Sequence, residues 1–241
     1  MHSALVVAVL FAATFIRSAF GFGEALVAVP VLALFMPVTV AAPVAVLISI
    51  TVAAVVVIED WRSIHVGSAA WLVVATLVGS PLGLLLVTRA PEPAVKTILG
   101  AVIVAFSVYS LARGARLALH DDRFAWLFGF AAGVLGGAYG MNGPPLVMFG
   151  TMRRWPPVRF RATLQGYFLP ASLVAMAGYW AAGLWVAPVT HYYLVSLPAA
   201  AVAMFLGRAL NRRLDAAAFL SIVHALLVVI GAVLLVQAAR S

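Results

Sequence analysis

Arg17 and Glu24 are ionisable side chains set well inside otherwise charge-free apolar runs. A charge at bilayer depth costs about 2.5–3.5 kcal/mol on insertion scales, so such groups mark binding sites or conduction paths by default. Seven residues apart, the two flank Gly21-Phe22-Gly23 and can meet if the backbone between them stays near helical. Arg17 offers forked donors suited to an oxyanion. Glu24 either balances that charge or carries a coupling proton. The same pair also suits a structural ion pair or a snorkelling arginine.

The surrounding sequence occurs twice. Phe11-Ala-Ala-Thr-Phe-Ile-Arg-Ser-Ala-Phe-Gly21-Phe-Gly-Glu24 returns 119 residues later as Phe130-Ala-Ala-Gly-Val-Leu-Gly-Gly-Ala-Tyr-Gly140-Met-Asn-Gly143. The same offset pairs Pro37 with Pro156, Trp61 with Trp180, Arg89 with Arg208, and Ile103-Val104 with Ile222-Val223, without a gap. Matching breaks in two halves of a membrane chain point to a substrate site between pseudo-symmetric repeats. Backbone that is neither helix nor barrel cannot face lipid, so these breaks should line a polar cavity. Helices restarting after them aim unpaired N–H groups and a positive dipole end into it, which favours an anion. Pro144 and Pro145 suit the first turn of such a helix. Glycines that only let helices pack closely are the plainer alternative.

The expected substrate site comprises Arg17, Gly21, Gly23 and Glu24 at the first break, and Tyr139, Gly140, Asn142 and Gly143 at the second. Ser49, with Thr51, and Gln165 and Tyr167 on the following helices could complete a hydrogen-bonding shell. The second break lacks charge, because Gly136 stands in the place of Arg17 and Gly143 in that of Glu24. His191 and His224 read as interhelical hydrogen-bonding residues.

Composition fixes the solvent. With 65% hydrophobic and 9% charged residues, the chain falls far below the charged fraction of about 25% usual in soluble domains. Charge-free runs such as Ala25 to Ile58 and Ala162 to Gly207 exceed the roughly 20 residues that cross a bilayer. With no basic region ahead of its first apolar run, the N-terminus reads as a membrane element and not a signal peptide. The net charge of +8 does not indicate a nucleic-acid partner, because most basic residues sit in short loops where they set topology. Cysteine is absent, which removes disulfides, thiolate metal sites and cysteine nucleophiles. No cofactor, metal or catalytic site is expected: neither Gly-x-Ser-x-Gly nor clustered His and Asp is present.

Apolar runs between Pro, Gly and charge punctuation predict elements near 3–20, 24–36, 40–58, 68–88 and 96–112, then 123–139, 143–153, 160–181, 189–207 and 216–237. The polar stretch Arg113 to Arg123 divides them into a first repeat over 1–118 and a second over 119–241. Cytoplasmic loops collect basic residues. Inverting one half puts eleven of them inside against three outside, and the parallel arrangement nine against five. The expected fold is therefore an all-α polytopic membrane protein. It has two inverted-topology repeats of about 119 residues, each a broken or re-entrant helical hairpin plus three transmembrane helices. A multi-pass protein of the bacterial inner-membrane type follows, with the lipid bilayer and a small anion as partners and a homodimer left open.

Gly21-Phe-Gly-Glu-Ala-Leu-Val-Ala-Val-Pro30, its counterpart from Gly136 to Val147, and Gly79-Ser-Pro-Leu-Gly83 resemble the sulfite exporter TauE/SafE family of membrane permeases along essentially the whole chain. The resemblance implies transport of sulfur-containing anions such as sulfite, sulfoacetate or thiosulfate. Glu24 departs from the family's usual run of adjacent glycines, so substrate and coupling are open at that position. One negative charge leaving an inside-negative cell gains about 2.3 kcal/mol per 100 mV, which favours export. The function expected is a secondary exporter of small sulfur-containing anions working by alternating access. An anion channel and a proton-coupled importer are the alternatives.

Overall fold

The computed structural model describes residues 2–60, 66–112, 119, 124–155, 157–210 and 216–240. Among them are ten helices and no strand. In chain order these are α1 (His2–Phe20), α2 (Glu24–Ala33), α3 (Val38–Asp60), α4 (Val66–Arg89), α5 (Glu92–Leu111), α6 (Ala125–Tyr139), α7 (Gly143–Met152), α8 (Pro157–Ala181), α9 (Ala187–Leu210) and α10 (Ala216–Arg240). Six of them, α1, α3, α4, α5, α9 and α10, are long and apolar enough to cross a membrane. Helix α8 is as long but opens with Arg159, Arg161 and Gln165.

Most boundaries fall within three residues of those expected. Helix α5 starts four residues earlier, because Pro93 sits in the first turn, where a missing N–H leaves no bond unmade. Lys96 and Glu92, one turn apart and 3.0 Å from each other, reinforce that start. Helix α2 stops at Ala33, three residues short of the expected end, and a turn carries the chain to Pro37. The polar stretch expected to divide the halves lies mostly outside the described residues, as do Trp61 and Pro156.

Both breaks are real interruptions of helix. The amide of Gly21 donates to the carbonyl of Arg17 at 2.6 Å and that of Gly140 to Gly136 at 2.8 Å, closing α1 and α6. Gly21, Gly23 and Gly140 then take φ of 87°, 100° and 66°, a left-handed backbone that glycine enters without strain. After these turns, α2 and α7 each run for ten residues, over positions that correspond through the 119-residue offset.

Packing is reciprocal. Helix α1 lies along α9, and α6, its counterpart by the offset, lies along α4, the counterpart of α9. In the α4–α6 seam, Gly129 backs onto the carbonyl of Leu72 and Gly133 onto that of Thr76, so the two helices run the same way with backbones touching. His191 beside Ser3 and Gly207 beside Phe15 give α1 and α9 the same sense. Helices α5 and α10 run oppositely, with Gly100 against Leu235 and Phe106 against His224. His191 is hydrogen-bond-distant from Ser3 at 3.2 Å, whereas His224 meets Phe106 edge-on.

A Cβ at Gly133 would lie 2.5 Å from the carbonyl oxygen of Thr76, a backbone atom that cannot rotate away. Gly133→Ala should therefore cost about 2 kcal/mol and lower Tm in detergent by roughly 4–8 °C. Gly143→Ala, whose Cβ meets nothing within 4 Å, should leave Tm unchanged. Equal Tm values for both variants would refute this account of the seam.

Candidate functional site

The two breaks face a common cavity. Arg17 closes the last turn of α1, and the chain bends through Gly21–Gly23 so that Glu24, the first residue of α2, returns beneath it. Arg17 Nη1 lies 2.6 Å from Glu24 Oε2, with both side chains almost wholly buried. Thr14, one turn back on α1, donates to Glu24 Oε1 at 2.9 Å. From α3, Ser49 accepts from Arg17 Nη1 through its hydroxyl and, at 3.3 Å, through its carbonyl. Ser172 of α8 stands 3.4 Å from the Ser49 hydroxyl, and the ring of Phe168 lies under the guanidinium at 5.2 Å.

The guanidinium's hydrogen bonds to Glu24 and Ser49 all come from Nη1. Nε and Nη2 of Arg17 are buried without a partner. These two nitrogens form one edge of the planar fork, the edge that grips two oxygens of a carboxylate or oxyanion at once. Asn142, at the head of α7, likewise has a buried Oδ1 without a partner; a Cβ at Gly136 would collide with it. Unpaired buried polar atoms cost about 1–3 kcal/mol each, more when charged. Arg17 and Asn142, which carry these three atoms, both line one cavity.

The cavity itself is small, about 30 Å³, room for a water molecule or two. Arg17, Glu24 and Ser49 form its polar side, Phe168 and Ser172 close it from α8, and Gly140, Asn142 and Gly143 bring the second break to it. The N-terminal ends of α2 and α7 both open onto it. Pro144 and Pro145 carry no N–H, which leaves the head of α7 to act through its dipole and the amides before them.

Of the residues expected at the site, Arg17, Gly23, Glu24, Ser49, Gly140, Asn142 and Gly143 line this cavity. Gly21 forms the turn behind it. Tyr139 and Tyr167, also expected in the shell, do not line this cavity. The Tyr139 hydroxyl donates to the carbonyl of Val95 on α5 at 2.9 Å, and that of Tyr167 pairs with Thr76 of α4. Both phenols are fully buried, so each takes the nearest interhelical partner. Thr51 is engaged with Tyr193 at 2.8 Å. The side chain of Gln165 lies outside the described residues. Sequence reading missed Thr14, Phe168 and Ser172. Thr14 was detectable one turn before Arg17, and Phe168 as the partner of Ser49 through the 119-residue offset. Nothing local marks Ser172.

Among the described residues no group of His, Asp or Glu side chains is placed to hold a metal ion. Arg17→Ala would leave Glu24 buried with only Thr14, which should cost about 3–5 kcal/mol. Arg17→Met combined with Glu24→Gln should recover most of that loss in detergent thermal unfolding. A double variant no more stable than Arg17→Ala would show that the pair is not coupled.

Comparison with known proteins gives one family: the model described as sulfite exporter TauE/SafE matches residues 5–234. No curated protein and no solved structure matches the chain.

Proposed function

The chain belongs to the sulfite exporter TauE/SafE family and is a multi-pass membrane transporter, not an enzyme; from that premise we propose that it exports small sulfur-containing anions through the cavity at Arg17. Sulfite and organic sulfonates are the substrates in view. The observation that carries this reading is the bare Nε–Nη2 edge of a buried arginine. An oxyanion presenting two oxygens satisfies both nitrogens, while Glu24 and Ser49 hold Nη1 in place. Two helix N-termini add positive potential without adding any proton that must be lost or gained.

Transport proceeds by alternating access between two repeats, 1–118 and 119–241, in opposite orientation. Support for opposition comes from α5 and α10, counterparts by the offset, which run antiparallel. The exchange of partners between α1–α9 and α4–α6 is what a two-fold relation between halves requires. Each break is then the hinge of its own half, and the cavity between them is the point that the two sides reach in turn. The membrane potential drives a bound anion outward from an inside-negative compartment.

Arg17→Lys keeps the charge and loses the fork, a change worth about 1.5–3 kcal/mol at a charged hydrogen-bonding site. Flux of radiolabelled sulfite in proteoliposomes should fall at least about tenfold in Arg17→Lys and stay within about twofold in Arg89→Ala, an exposed arginine. Unchanged flux in Arg17→Lys would sink the site, and unitary currents in place of saturable exchange would sink the carrier mechanism.

A further inference from the structure

We infer that Glu24 makes this cavity selective for monoanions, so that hydrogensulfite and simple sulfonates bind in preference to dianions such as sulfate or sulfoacetate. The inference rests on the anion site proposed above and adds to it the substrate's charge.

The argument is one of charge balance in a closed space. Arg17 brings one positive charge, and Glu24, 2.6 Å away, cancels it before any substrate arrives. What remains is the pair of helix N-termini at α2 and α7, each equivalent to roughly half a positive charge. Their sum is about one unit. Further compensation is scarce among the elements packed on α2. Helix α1 gives Arg17 and Thr14, and α7 carries no ionisable side chain. Glu92 and Lys96 of α5 are spent on each other. On α10, His224 faces Phe106, and Arg240 is the last described residue. Glu59 and Asp60 close α3, with side chains outside the described set. None of the ionisable groups on α5 or α10 lines the cavity.

An anion on the free edge of Arg17 sits across one guanidinium from the Glu24 carboxylate, roughly 6 Å away. At an effective dielectric constant of about 20, each added negative charge there loses on the order of a hundredfold in affinity. A monoanion meets that penalty once and is compensated by the helix ends. A dianion meets it twice, and although the helix ends then also attract it twice as strongly, the cost of taking it out of water rises with the square of its charge, which a site with about one net positive unit does not offset. Thr14 holds the other carboxylate oxygen, so Glu24 does not swing clear to relieve the repulsion.

Sulfate and methanesulfonate have nearly the same tetrahedral shape and differ by one charge, and both hold fixed charge at pH 8. Their dissociation constants should be measured by calorimetry on purified protein at constant ionic strength. Wild type is expected to bind methanesulfonate at least about tenfold more tightly than sulfate. Glu24→Gln should tighten both and shrink the ratio at least tenfold, and Glu24→Asp should restore it. A general structural weakening would move both affinities together and leave the ratio alone. Equal affinities in wild type, which need no variant to read, would overturn the inference, as would an unchanged ratio in Glu24→Gln. Binding of either anion that survives Arg17→Ala would instead overturn the site itself, and binding of neither anion to wild type would overturn both.

Discussion

The structure turns on an arginine that cannot be left alone. Arg17 is 3% exposed in a bundle whose outer faces are apolar, where an uncompensated charge is costly. The chain supplies its compensation: Glu24 one helical break away, Ser49 from α3, and the face of Phe168 from α8. That requirement dictates the break. A continuous helix would project Glu24 two turns beyond Arg17 on the same face, whereas Gly21 and Gly23 turn the chain so that Glu24 also opens a new helix with its carboxylate at the positive end. The pair is therefore held by the local fold, and the local fold is worth having because of the pair.

Holding α2 and α7 in the bundle is a packing problem, since ten-residue helices bury little surface on their own. Helix α2 packs on α1 and α3, and α7 on α6, which α4 in turn holds at backbone distance where glycines of both helices face carbonyls. In lipid no hydrophobic drive pulls helices together, and close dispersion contact has to substitute. The α1–α9 seam has a single such contact at Gly207, beside Phe15 and Ser18. The two seams thus differ in how closely their backbones approach.

Helix order and most boundaries were legible because the chain punctuates itself with glycine, proline and charge. The start of α5 shows the rule's limit: proline punctuates an apolar run, yet Pro93 sits inside the first turn of the helix. Around the cavity, residues at the breaks were legible for the same reason, because a charge or glycine in an apolar run is conspicuous. Tyr139 and Tyr167 were not, for a phenol on a helix can reach several neighbours and sequence does not say which carbonyl or hydroxyl it meets. Ser172 belongs to that class too; its proximity to Ser49 exists only once α3 lies against α8.

The charged set occurs once along the sequence, and the 119-residue offset shows what stands opposite it. Through the 119-residue offset, Thr14, Arg17 and Glu24 correspond to Gly133, Gly136 and Gly143, so every member of the charged cluster has glycine opposite it. A second cluster in a cavity of about 30 Å³ would place like charges within a few ångströms and leave no volume for cargo. Glycine instead yields space at each point: at Gly136 for the amide of Asn142, at Gly143 for nothing at all, and at Gly133 for the backbone of α4. Around this cavity Arg17 and Glu24 supply charge, and the glycines opposite them in sequence supply room.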